Sequence, residues 1–423
     1  MVGTEAYPES YYAASANPAP ARPAFAGEAS PEICVVGAGY TGLSAAIELA
    51  ELGHEVVLVE ASRVGWGASG RNGGQIVNGL SADLSSIQRQ CGSIGVQLVR
   101  EGAALIRERI ARYRIECGLK DGNLFAALTS KQMHHLEDRQ AAWRALGIDN
   151  FQLLGREEIR THVATDIYCG GMADPTGGHL HPLNLALGEA AALEGLGGVI
   201  HEASPVERIE AVEGKPVVRL AGGILRPEVL ILAGNAYLGR LVPQIENRIM
   251  PFSTQMIATE PLAQGDALIP CGYCVEDERY VQDYYRLSTD RRILFGGGAV
   301  FGGTTPADIK SKLLPNLHRV FPELRGVRID YAWSGNCALA FTRMPQVGRL
   351  GPATYFAQGY SGHGVVGSHL FGRMIGSAVH GDRAQFDAFA SAPWMPFPGG
   401  RRFAVPYTAL GSWWYGLRDR LNV

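Results

Sequence analysis

The chain has 423 residues, 46% hydrophobic and 19% charged, which is enough apolar material for two or three packed domains and too much for a disordered chain. Lys+Arg 38 against Asp+Glu 41 leaves a net charge of −3, so composition gives no electrostatic basis for binding nucleic acid or acidic membranes. Seven cysteines in this length exclude a disulfide scaffold, no apolar run approaches a membrane span, and residues 1–10 lack the blocks of a secretory signal. The expected setting is cytoplasmic.

Residues 1–29 carry Pro8, Pro18, Pro20 and Pro23 among small residues. Proline cannot donate to a ladder, so this segment is expected to be an irregular arm. Residues 32–36 form a short apolar strand that feeds Gly37-x-Gly39-x-x-Gly42. A helical face of Leu43, Ala46, Ile47 and Ala50 follows, ended by Gly53. Residues 55–59 are the next strand, closed by Glu60 and Ala61. In this βαβ unit each glycine has a task. Gly37 makes the tight turn, Gly39 lets a pyrophosphate reach the backbone, and Gly42 lets helix pack on strand. The amides around Tyr40 and Thr41 then face phosphate charge. Glu60 is placed to accept from ribose hydroxyls. A plain tight turn needs no acid there, so the unit predicts a dinucleotide site.

A second glycine-rich loop, residues 66–79, holds Ser69, Arg71, Asn72, Gly73, Gly74 and Gln75. Helical patterns follow at about 83–117 and 129–146, with a short strand at 124–128. A loop at 174–178 leads to a helix at about 182–196, a strand at 198–202, a hairpin region and a strand at 229–234. The stretch 250–335 alternates apolar and aromatic residues and reads mostly as strand. A strand and turn at 355–364 open a last long helix, about 365–380. This order predicts an α/β protein of two interleaved domains. One is a Rossmann-like nucleotide domain from 30–85, 175–242 and 337–390. The other is a mostly antiparallel α+β domain from 86–174 and 243–336. A tail, 391–423, carries Leu410, Trp413, Trp414, Leu417 and Leu421 at helical spacing, with Arg418 and Arg420. That stripe is expected to pack on its own domain or a sister subunit.

Two spacings invite a metal reading. Cys271-x-x-Cys274 has no second pair to complete a zinc set, and His179-x-His181 has no third ligand at suitable spacing. Ordinary thiols, and histidines that cap a helix or line a pocket, are expected, with no metal.

The segments 37–42, 68–75, 174–181, 232–237 and 359–365 together resemble the FAD-dependent D-amino-acid oxidase and glycine/sarcosine oxidase family. The resemblance runs from about residue 30 almost to the end. Within the family it is nearest to the members that oxidise γ-glutamylputrescine, through residues 10–17, 69–75, 283–287 and 397–400. It implies FAD at Gly37, Gly39, Tyr40, Thr41, Gly42, Glu60, Ala61, Val206 and Gly234. It places Ser69, Arg71, Asn72, Gly73, Gly74 and Gln75 along the phosphate, ribityl chain and ring edge. Gly362, His363, Gly364 and Val365 would form the loop whose following helix points its positive end at flavin N1 and O2. Some members bind FAD through a cysteine. Cys337 sits two positions from that place in the register through 342–345, so the expected FAD is non-covalent.

The implied reaction is oxidation of a primary amine at the carbon next to nitrogen. The imine hydrolyses to aldehyde and ammonia, and O2 is reduced to peroxide. The reacting amine must be neutral, so no carboxylate is expected beside it and no acid–base triad is required. Tyr284, Tyr285, Arg286, Trp333 and His363 are expected to face the substrate. Arg286 would hold its carboxylate or stand near N5. Two alternatives remain at this point: an amine or D-amino-acid dehydrogenase passing electrons to quinone, and a dinucleotide-binding protein without turnover.

Overall fold

The computed structural model describes residues 6–300 and 305–397, and in the C-terminal segment 403, 406, 409–411, 413, 414 and 418. Its first sheet grows from the βαβ unit. Strands run in the order Gln346–Arg349, Thr354–Gln358, Val229–Leu232, Ile33–Val36, Val56–Val59 and Val199–His201. All neighbours are parallel except the edge strand Gln346–Arg349. Ile33–Val36 and Val56–Val59 are buried at every position, as parallel strands covered on both faces must be. Gly37 turns the chain at φ 108°, and a Cβ on Gly42 would collide with the Gly37 carbonyl. Helix Tyr40–Glu51 is crossed by helix Gly364–His380, with Gly372 against Ser44.

The N-terminal segment is not an irregular arm. Residues Tyr11–Ala14 form a helical turn, and Gly27–Ala29 is the edge of a four-stranded sheet, pairing with Gly223–Leu225. The prolines lie mostly between these two pieces. Tyr12 is 0% exposed, edge-on to both Trp333 and His181. Aromatic burial outweighs a weak local pattern here.

The second, larger sheet has the order Ile329–Ala340, Ile249–Thr259, Ile293–Val300, Asp283–Leu287, Cys274–Asp277, Lys120–Ala127, Gly170–His179 and Gln75–Ile76. Strand Gln152–Gly155 also pairs with Gly170–His179. The expected boundaries near 174 and 336 therefore fall inside strands, and Gln75–Ile76 leaves the nucleotide side to join this sheet. Its register sets one row of residues side by side: Phe125, Glu276, Tyr284, Gly296, Met256 and Trp333. This row faces the nucleotide domain. The next row, Leu124, Val275, Tyr285, Phe295, Ile257 and Ala332, points the other way into a separate core.

That second core is covered by a helix, so the stretch 250–335 is not all strand. Pro306–Val320 is helical, with Ile309, Leu313, Leu317 and Val320 buried and a capping box of Thr305 and Asp308. In the C-terminal segment Leu410, Trp413 and Trp414 are helical but more than half exposed. Packing on their own domain, one of the two expectations for this stripe, is not seen at those three; Leu417, Arg420 and Leu421 lie outside the described residues. No helix among the described residues is long and apolar enough to cross a membrane.

Tyr12→Ala should destabilise the protein by about 3–5 kcal/mol, the usual cost of removing a buried ring. Urea unfolding would measure it, and a change below about 1 kcal/mol would show that the N-terminal turn does not staple the fold.

Candidate active site

A cavity of about 590 Å³ lies between the two domains. Its floor is one face of the large sheet. Alternate residues of neighbouring strands project into it: Met250, Phe252 and Thr254, then Cys337 and Leu339, then Gln282, Tyr284 and Glu276. Its roof is the glycine loop and the strand start after it, Asn72, Gly73 and Gln75, on one side, and a turn with the first helical residues, Ser361 to Val366, on the other. Tyr280, Phe341 and Arg343 also line it, and Arg343 is exposed.

The charges inside are unevenly solvated. Glu276 is 6% exposed, and burial pushes its carboxyl up to about 7, against the pull of Arg139. His363 is held down to about 4 by burial, with Arg139 and Arg343 adding to the effect, so its imidazole is neutral near pH 7. Its Nδ1 is buried and has no protein partner. Among the described residues no carboxylate pairs with Arg343, and no lysine or arginine pairs with Glu276.

A second, narrower cavity of about 170 Å³ shares Asn72, Cys337, Ser361, Gly362, Gly364 and Val365 with the first. It runs along Gly37, Gly39, Tyr40, Thr41, Glu60, Ala61, Ser69, Gly234 and Tyr237. The helix Tyr40–Glu51 opens onto it with Gly39 at the N-cap and no side chain covering its first turn from that position. The Tyr40 amide donates to Ser69 Oγ at 3.0 Å. Glu60 accepts from the Ala38 and Ser62 amides at 2.8 and 3.0 Å, which fixes its carboxylate at the cavity wall.

The family described as "DAO: FAD dependent oxidoreductase" matches residues 32–378. The chain belongs to this family of FAD-dependent oxidoreductases. It is 48% identical over 421 residues, 98% of this chain and 99% of the other, to the γ-glutamylputrescine oxidoreductase of Escherichia coli K12. It is 38% identical over 400 residues, 92% of each chain, to a probable oxidoreductase, OrdL, of Haemophilus influenzae. The glycine oxidase structure from Geobacillus kaustophilus superposes with a TM-score of 0.72 at 22% identity, over 82% of this chain and 94% of that one. The L-proline dehydrogenase structure from P. horikoshii gives 0.73 at 21%, over 84% and 94%. At such identity these two establish the fold alone.

The donor set fits FAD. A long trough opens at a helix N-terminus with glycine at its N-cap, passes a fixed carboxylate, and widens where a buried imidazole nitrogen lacks a protein partner. Of the residues expected at the cofactor, Gly37, Gly39, Tyr40, Thr41, Glu60, Ala61, Ser69, Asn72, Gly73, Gln75, Gly234, Gly362, His363, Gly364 and Val365 line one cavity or both. Gly42 and Gly74 support the walls from behind, each too close to a backbone carbonyl for a side chain. Arg71 is turned inward to Tyr237 Oη and the carbonyls of Gly67 and Ser334. Val206 begins a strand of the four-stranded sheet and lines neither cavity, contrary to expectation.

Three of the five expected substrate residues are elsewhere. Strand alternation sends Tyr285 to the far side of the sheet, stacked on Phe295 and bonded to Tyr168 Oη at 3.0 Å. Trp333 is in the facing row, but its indole donates to the Arg71 carbonyl and its ring packs on Tyr12. Arg286 is 5% exposed, with donors spent on the carbonyls of Gly73 (2.7 Å) and Leu180 (2.7 Å) and on Tyr12 Oη (3.1 Å). It is a buried tie between segments, so it cannot grip a substrate carboxylate. Tyr284 and His363 do line the larger cavity. Sequence reasoning missed Glu276 and Arg343. Glu276 pairs with Tyr284 across neighbouring strands, a register the sequence does not give, whereas Arg343 lies within the family-like stretch 342–345. His181 caps helix Pro182–Gly195, accepting from the Asn184 amide, as one of the two expectations for it had it.

Arg286→Ala should cost about 3 kcal/mol or more in unfolding free energy, because buried carbonyls lose their donors. Chemical denaturation would measure this. A stable variant with only a raised KM would restore Arg286 as a substrate contact.

Proposed function

We propose that this protein oxidises the terminal primary amine of γ-glutamylputrescine to the aldehyde, with ammonia and hydrogen peroxide as the other products and O2 as electron acceptor. The likeness to the E. coli enzyme of that specificity, at 48% over 98% of the chain, carries this reading. The cavity supports it. Such a substrate has an ammonium at one end, an aliphatic middle and an α-amino-acid group at the other. The cavity offers the buried carboxylate of Glu276, a wall of Phe252, Tyr284 and Phe341, and the exposed guanidinium of Arg343.

When bound, FAD supplies the two-electron acceptor for hydride leaving the carbon next to nitrogen. The amides of the helix Tyr40–Glu51 would face its pyrophosphate, and Glu60 would accept from the ribose hydroxyls. The helix Gly364–His380 would aim its N-terminus at the ring edge that gains negative charge. Neutral His363 offers an imidazole at the same place without adding a cation. The aromatic floor excludes water and holds the aliphatic chain extended.

Anaerobic addition of γ-glutamylputrescine should bleach the flavin spectrum, whereas glycine and D-alanine should not, and the aerobic reaction should consume O2 without an added acceptor. Failure of γ-glutamylputrescine to bleach the flavin would overturn the substrate. Absence of O2 uptake would overturn the acceptor. In the same assay Arg343→Ala should raise KM about tenfold and leave the limiting rate of reduction nearly unchanged, the pattern of a contact made equally in ground and transition states.

FAD is held without a covalent bond in this reading. Cys337 lines both cavities, but burial pushes its thiol up to about 11, leaving the sulfur protonated and a poor nucleophile. Acid precipitation should release the yellow colour into the supernatant. Colour kept in the pellet would contradict this.

A further inference from the structure

The chemistry just proposed needs a neutral amine, yet an alkyl ammonium has a pKa of about 10.4 and arrives charged at pH 7. Something in the cavity must take that proton. The sheet register answers which group can. Glu276 stands opposite Tyr284 on one side and Phe125 on the other, so its side chain lies on the face that forms the cavity floor. Strand alternation sends Val275 and Asp277 to the opposite face. Asp277 is held there by Arg279, and Glu278 at the strand end is bonded to Arg139 and His135. Among the described residues lining this cavity, Glu276 is the carboxylate.

We propose that Glu276 binds the substrate ammonium and accepts its proton, and so delivers the neutral amine for oxidation. This rests on the amine-oxidase reading above. The step balances. The N–H bond breaks heterolytically, the proton joins a Glu276 carboxylate oxygen, and the ammonium becomes an amine with a free lone pair. The C–H bond next to nitrogen then breaks, its electron pair leaves as hydride to the FAD that the family supplies, and the lone pair forms the C=N bond. The proton on Glu276 returns to solvent after the iminium leaves.

The groups around Glu276 suit this task. From the helix Ser130–Arg144, Arg139 favours its ionised form, and the Asn123 amide on strand Lys120–Ala127 acts in the same direction. Burial, Glu278 and Asp277 oppose ionisation. Cys274 on its own strand is a protonated, buried thiol, Tyr284 from the neighbouring strand stays a neutral phenol, and His363 across the cavity is a neutral imidazole. Among the described residues no cation forms an ion pair with Glu276, so the incoming ammonium meets an anion with room for it. With its carboxyl up near 7, Glu276 is ionised above that pH, sits closer to the ammonium in proton affinity than an ordinary carboxylate does, and gives its proton back to solvent readily.

The test uses the FAD-loaded enzyme and the variants Glu276→Gln and Glu276→Asp. Anaerobic stopped-flow would give the reduction rate constant over Kd for γ-glutamylputrescine between pH 6 and 10. In the wild type it should climb from pH 6 and flatten above about 7, where Glu276 is ionised. In Glu276→Gln only the free amine reacts, so the value should be at least tenfold lower at pH 7.5, rise tenfold per pH unit, and converge with wild type toward pH 10. Glu276→Asp should keep the wild-type shape. A second readout needs no turnover. An analogue with two methyl groups in place of the reacting hydrogens should bind Glu276→Gln at least tenfold more weakly at pH 8, by perturbation of the flavin spectrum. N5-butylglutamine, which keeps the α-amino-acid end but has a methyl group in place of the terminal aminomethyl group, should bind both proteins within twofold. Parallel pH profiles for wild type and Glu276→Gln, or equal loss of both ligands, would overturn the role of Glu276. Failure of the wild type to reduce with any amine would instead overturn the amine-oxidase reading itself.

Discussion

The site depends on one buried cation. The Arg286 guanidinium reaches the Gly73 carbonyl in the glycine loop, the Leu180 carbonyl after the strand Gly170–His179, and the Tyr12 hydroxyl near the N-terminus. Three chain segments, each more than a hundred residues from Arg286 in sequence, are thereby held to one strand of the large sheet. The sheet face then stands at a fixed height below the loops, and the gap between them is the cavity. No carboxylate is needed for this tie. Carbonyl oxygens carry enough negative charge to hold a guanidinium, and charge-assisted hydrogen bonds of this kind are roughly twice as strong as neutral ones. The strand neighbour Tyr284 is consequently left free to form floor.

How much of this could be read in the sequence follows from the range of each interaction. The nucleotide end was legible because Gly37, Gly39, Gly42 and Glu60 sit within one βαβ unit, where spacing alone fixes geometry. The floor was half legible. Tyr284 and Tyr285 are adjacent in a strand, so only one of them can face the substrate, and the sequence does not say which until the register with Gly296 and Phe295 is known. Arg286 was assigned by its charge, but its partners are backbone atoms, which leave no trace in side-chain identity. Helix Pro306–Val320 carried a readable signal in Ile309, Leu313 and Leu317, and in the pairing of Thr305 with Asp308; it was obscured by the strand-like residues on either side.

Two glutamates illustrate how environment divides one functional group into two tasks. Glu60 and Glu276 both end up in low-dielectric surroundings, and burial raises both carboxyls. Glu60 is compensated by backbone amides of Ala38 and Ser62, which fix its orientation and favour its charge. Glu276 has no such amides and faces open cavity. The first is therefore suited to hold a fixed partner, the second to exchange a proton. A carboxylate that only stabilised ammonium would oppose the reaction, and on that ground none is expected beside the reacting amine. A carboxyl whose own affinity for protons has been raised removes the proton instead.

The N-terminal turn carries an implication for how the chain is assembled in time. Tyr11 Oη donates to Asp290, and Tyr12 packs on Trp333 beside Arg286. During synthesis the N-terminal residues emerge first, yet their docking site is completed only by strands near position 330. For most of translation the two tyrosines have nothing to bind, and the loop to be closed spans three-quarters of the chain. Contacts of such long range slow folding and leave intermediates exposed. The cofactor trough inherits that order, because its floor strand Ile329–Ala340 arrives after the glycine loops are already made. Flavin binding that needs this floor would therefore wait on the same closure that buries Tyr11 and Tyr12.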